Sequence, residues 1–145
     1  MKVICIDFDA TINSYKSGWT SESDIPDSPI DGAQDAIARL RRNFRVVVFS
    51  TRARTVEGKN AVRSWLAKNG IEVDGITAIK IPAFAYVDDR AINFNGNWTE
   101  AMRAIQNFET YQDVEARSRE LEVHKDEIDG LFDKGNIEPV NMDLI

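Results

Sequence analysis

Residues 1–12 read MKVICIDFDATI and residues 45–52 read RVVVFSTR. Each holds a short, continuous apolar run that stops abruptly at polar side chains: Asp7 and Asp9 in the first, Ser50, Thr51 and Arg52 in the second. Apolar runs without polar alternation belong to strands covered on both faces, as in parallel sheets. Between the two runs, Ala33, Ala36, Ile37 and Leu40 fall at i, i+3, i+4 and i+7, the spacing of one helix face, and Asp31 is placed to cap it. Strand, helix, strand in that order is a parallel crossover unit.

The same alternation continues outward. Thr55 is placed to cap a helix whose core face is Val62, Trp65 and Leu66, and Asn69-Gly70 to end it. Ile76–Ile79 and Phe84–Val87 are further strand candidates, and Thr99 precedes a last core helix carrying Met102, Ile105 and Phe108. The expected order is β-α-β-α-β-β-α. It predicts an α/β fold, a three-layer α/β/α sandwich on a mainly parallel, Rossmann-like sheet. Residues 13–30 are polar and turn-rich and read as an irregular loop.

A chain of 145 residues that is 43% hydrophobic and 29% charged fits a globular protein and excludes collagen, low-complexity disorder and a disulfide scaffold. Cys5 is the single cysteine, so no intramolecular disulfide forms. No apolar run approaches the ~18 residues of a membrane span. Asp7 interrupts the N-terminus too early for a signal peptide, so a cytoplasmic location and no membrane partner are expected. Charge is uneven. Residues 1–109 hold 14 acidic and 14 basic side chains; residues 110–145 hold 10 and 4, the whole of the net −6. This predicts an α/β domain over 1–109 and an acidic, helical extension over 110–145. Val114, Leu121 and Ile128 recur every seven residues, but Arg117, His124 and Leu131 make the seam half apolar. Expected here is a solvated helix or, alternatively, a homodimer through a short coiled coil.

In parallel α/β sheets, ligands bind beyond the carboxyl ends of the strands. The residues delivered there are Asp7, Asp9 and Thr11; Ser50, Thr51 and Arg52; Lys80; and Asp88, Asp89 and Arg90. A lone aspartate after a strand is an ordinary turn former. Four carboxylates on one edge repel one another and call for a cation. Oxygen donors without a Cys/His cluster favour Mg²⁺ over zinc, with one ion bridging position 7 and position 88 or 89. Arg52 and Arg90 are expected either to touch substrate or to pair with the acids. Trp19 is expected to cover the site or to anchor its own loop. His124, the only histidine, lies in the extension, away from any Ser-His-Asp or Cys-His arrangement.

These segments together resemble the motifs of haloacid dehalogenase-like (HAD) hydrolases: MKVICIDFDATI the first, VVVFSTR the second, Lys80 the third and YVDDRAINF the fourth, in the family's order across residues 2–94. Ala10 stands where phosphatases of that family usually carry glycine. The resemblance implies a Mg²⁺-dependent phosphomonoester phosphatase. Asp7 would be the nucleophile that forms an aspartyl-phosphate, and Asp9 the general acid and base, with its backbone carbonyl on the metal. Lys80 would neutralise charge. Thr11, Ser50, Thr51 and Arg52 would lie at the substrate, and Asp88 and Asp89 would anchor the ion. A receiver domain uses similar groups, but there the acid pair comes first, the acceptor Asp after a later strand and Lys last; here Lys80 precedes Asp88.

Neither loop that carries a cap domain in the family is long enough here to hold one. An open site implies a bulky phosphorylated substrate, such as a protein, nucleic acid end or polysaccharide. Arg41, Arg42, Arg45, Arg52 and Arg54 motivate a narrower alternative, a polynucleotide 3′-phosphatase or nucleotidase. A catalytically degenerate binding module is the non-enzymatic alternative.

Overall fold

The computed structural model describes residues 1–134. They fold as two compact units, divided between Ala91 and Ile92. The first contains β1 (Val3–Asp7), α1 (Ala33–Leu40), β2 (Arg45–Phe49), a 3-10 turn (Thr51–Arg54), α2 (Val56–Lys68), β3 (Gly75–Thr77) and β4 (Ala85–Val87). The second contains α3 (Trp98–Gln106) and α4 (Tyr111–Asp133). The charge shift at residue 109 therefore marks the approach to α4, not the division between the units.

The four strands form one all-parallel sheet in the order β3-β2-β1-β4, the α/β architecture expected from the alternating pattern, with no folded insertion in it. Ile4 pairs with Val46 and Ile6 with Val48, so these four side chains share one face. They are buried with Ile37 of α1 and with Val62, Trp65 and Leu66 of α2. Both crossover helices therefore cover that face. Phe8 and Ile12, just beyond β1, complete the core, with the Phe8 ring edge-on to Trp65 at 5.1 Å. Cys5 points to the other face and is fully buried, as expected of a packing residue.

Local signals set most helix ends. Thr55 caps α2, its hydroxyl accepting from the Gly58 N–H at 3.0 Å. Gly70, at φ 65°, closes the other end, where its N–H donates to Ala67 O and that of Ile71 to Leu66 O. That is the two-bond pattern of a glycine-terminated helix. Two expected caps are corrected. Gly32, at φ 84°, holds the cap position of α1 in place of Asp31, because the chain turns one residue later than the acid. Asn97 caps α3, accepting from the Glu100 N–H at 3.2 Å, and Thr99 falls inside the first turn. The third strand is also shorter than expected, ending at Thr77.

In the second unit, α4 begins with a reciprocal cap between Thr110 and Asp113. Val114, Leu121 and Ile128, on which the expected homodimer depends, are all exposed, Leu121 to 65%. No described helix is long and apolar enough to cross a membrane.

Candidate metal centre

Chain order moves the sheet from β1 outward to β2 and β3, then back past β1 to β4. The crevice at such a reversal is where ligands bind in open α/β sheets. Here the reversal lies between β1 and β4, and the acids that end those strands meet there. Asp7, Asp88 and Asp89 each offer a carboxylate oxygen, and the three oxygens lie within 4.8 Å of one another. Among the described residues this is the one cluster of three or more acids, histidines or cysteines close enough to share a metal ion.

The electrostatics follow from that crowding. Burial, then the charges of Asp88 and Asp89, push the Asp7 carboxyl up to about 7, against a stabilising hydrogen bond from the Phe8 N–H. The Thr11 hydroxyl donates to Asp7 Oδ2 at 3.4 Å. Asp88 is oriented by the Arg90 N–H, which donates to its Oδ1 at 2.7 Å. The Asp89 carboxylate lies 3.8 Å from Arg90 Nε.

Asp9 is held apart from this triad. Arg52 Nε donates to its Oδ2 at 2.8 Å, and Asn13 Nδ2 to its Oδ1 at 2.9 Å. Arg52 is 1% exposed. Its Nη1 also donates to the carbonyls of Ser21, Glu22 and Asp24 at 2.6, 3.2 and 3.1 Å. The Trp19 ring lies 4.5 Å from the guanidinium carbon. Of the two roles expected of Arg52, these contacts show the pairing with the acids: it is buried on Asp9 and pins the 19–24 loop. They also make Trp19 a loop anchor.

The remaining expected site residues are dispersed along the same edge. Ser50 is buried, its hydroxyl accepting from the Arg52 N–H at 3.2 Å, so it also starts the 3-10 turn. Thr51 is exposed. Lys80 makes no ion pair within 4 Å among the described residues; its Nζ lies 5.5 Å from the centre of the Tyr86 ring. Ala10 has φ 62° and is buried. A left-handed residue costs an L side chain about 1 kcal/mol, which is the physical reason glycine suits this turn.

Three residues near the site carry little or no distinguishing mark in the sequence. Asn13 reads as loop polarity, yet it is buried and bridges Asp9 to Pro29. Tyr15, at φ 56°, has its phenol pushed up by burial and then by the Asp9 charge. Tyr86 reads as an ordinary strand aromatic, and its hydroxyl donates to the Ile81 carbonyl. An aromatic beside the acidic motif was the available signal for Tyr86.

No protein-family model and no curated protein sequence matches this chain. Among solved structures it is similar to a conserved protein from Bacteroides thetaiotaomicron, at 20% identity over 78% of this chain and 96% of that chain, with a TM-score of 0.50. At that identity the likeness shows the fold, and the shared fold is the parallel α/β sheet.

Proposed function

We propose that this chain is a Mg²⁺-dependent phosphomonoester phosphatase of the haloacid dehalogenase-like type, working through an aspartyl-phosphate. The single observation that most supports it is the convergence of Asp7, Asp88 and Asp89 within 4.8 Å at the reversal of the sheet. Oxygens on opposite sides of a Mg²⁺ ion with ~2.1 Å bonds are about 4.2 Å apart, so the donor set fits a small hard cation after slight closure. Asp7, Asp88 and Asp89 would hold it with their carboxylates, and Asp9 with its carbonyl. The ion would screen the charge of an incoming phosphoryl group and orient it.

Asp7 attacks phosphorus; its Oδ–P bond forms as the bond to the leaving oxygen breaks. Asp9 gives that oxygen a proton, then takes one from the water that hydrolyses the intermediate. Arg52 and Asn13 fix the direction of the Asp9 carboxyl. Each carboxyl oxygen has two lone-pair positions, so Oδ1 can accept from Asn13 and still carry a proton. Thr11 steadies Asp7, and Ser50, Thr51 and Lys80 would supply the contacts to phosphoryl oxygens.

The test is hydrolysis of an aryl phosphate with and without Mg²⁺, and acid-quench trapping of a phosphorylated protein. Mg²⁺-dependent turnover that Asp7→Asn abolishes is the expected result; its absence across aryl, sugar and nucleotide monophosphates overturns the proposal. A stable, unhydrolysed aspartyl-phosphate would instead indicate a binding module. The arginines behind a polynucleotide 3′-phosphatase lend little support. Arg52 is buried on Asp9, and Arg41 is bound to Glu72 and Asp74.

A further inference from the structure

Beside Asp88 lies a recess of about 290 Å³ lined by Phe49, Lys80, Tyr86, Asp88 and Ala91. Its two aromatic residues come from the strands on either side of β1. Phe49 of β2 is in register with Asp7, and Tyr86 of β4 with Cys5, so both side chains stand on the sheet face that carries Asp7. The helices α1 and α2 cover the opposite face.

Strands are spaced ~4.8 Å apart and Phe49 stands two residues, ~6.6 Å, further along than Tyr86, so the two positions are about 12 Å apart across β1. That is about twice a ~6 Å centroid distance, within the range at which aromatic rings associate. A third flat ring therefore has room between them, and an open-chain group would leave both aromatic faces poorly covered. Tyr86 is braced for this role, because its hydroxyl bond to Ile81 ties it to the segment that carries Lys80. The volume is at the low end of small-molecule sites, ~300–1,000 Å³. It takes a phosphoryl group and one ring, not a polymer segment.

We infer that this recess is the leaving-group pocket of the phosphatase proposed above, and that it selects a compact monophosphate whose leaving group carries a single flat ring. This rests on the phosphatase assignment for its chemistry and replaces the bulky substrate expected from the lack of a cap. Phe49 and Tyr86 are then the specificity-determining residues.

The experiment pairs benzyl with butyl compounds, whose alcohols leave with similar ease. With Mg²⁺ and the full chain, benzyl phosphate and butyl phosphate are compared in kcat/KM, and benzylphosphonate and butylphosphonate in Kd by calorimetry. The expected preference for the benzyl compound is about tenfold in both, the scale that two ring contacts allow. Tyr86→Leu and Phe49→Leu should each bring it below about threefold, and Tyr86→Phe, which keeps the ring, should retain it. Equal binding of the two phosphonates by wild type overturns the inference, as does a preference unchanged in both leucine variants. Turnover without ring preference removes the pocket and leaves the phosphatase. Ring-selective phosphonate binding without turnover of any monophosphate removes the phosphatase and leaves the pocket.

Discussion

Arg52 and Asp9, 43 residues apart in the chain, form a 2.8 Å ion pair, with the arginine side chain almost wholly buried. The pair joins the end of β2 to the turn after β1, and the same guanidinium fastens the 19–24 loop through three carbonyls. Removing the cation leaves a carboxylate and three carbonyls without their donor.

Arg52→Ala is accordingly expected to cost about 3–5 kcal/mol in urea unfolding, the range for breaking a buried pair from one side. Arg52→Lys, which keeps the charge but loses the fork, should recover part of that. An Arg52→Ala protein within about 1 kcal/mol of wild type would contradict the structural role assigned to this residue.

Gly58 lies in the first turn of α2, where helix propensity alone favours alanine by about 1 kcal/mol. A β-carbon there would sit 1.9 Å from the Arg52 carbonyl oxygen. Gly58→Ala should therefore destabilise by about 1–3 kcal/mol, as overpacking does. Gly130 in α4 is the control, since nothing lies within 4 Å of the added carbon and Gly130→Ala should stabilise its helix. The same sign for both substitutions in thermal melts would refute the contrast.

Asp7 ties stability to pH with an unusual sign. Its folded value of about 7 lies above the ordinary 3.8, so the folded metal-free protein holds a proton that the unfolded chain has released. Stability from this group falls as pH rises from about 4 to 7 and is level above. Asp7→Asn removes the charge with little change of shape. It is expected to match wild type near pH 4 and exceed it by about 2–4 kcal/mol at pH 8 without metal. A gap of the same size at both pH values would show that the carboxyl is not responsible.

Magnesium should act in the opposite sense to that penalty. At pH 8 a saturating concentration, 100 times Kd, stabilises by about 2.7 kcal/mol and raises Tm by several degrees. At pH 5, where Asp7 carries a proton, the rise should shrink. The double variant Asp88→Asn, Asp89→Asn should lose it at both pH values. A Tm rise that survives the double substitution would place the ion elsewhere.

Much of this was legible in the chain because it is local. Apolar runs ending in polar side chains mark β1, β2 and β4; Thr55 and Asn69-Gly70 mark the ends of α2; and acids placed just after β1 and β4 marked Asp7, Asp88 and Asp89. Each signal acts over a few residues, where backbone sterics and hydrogen-bond geometry leave few choices. The three-dimensional fold alone settled which acids converge, because that depends on β4 returning to the far side of β1. It likewise turned Arg52 inward to Asp9, brought Asn13 to the same carboxyl and set Phe49 and Tyr86 on one face. Those partners are separated by up to 43 residues, and their approach follows from strand order and the solvation cost of buried charge, neither of which is written in neighbouring residues.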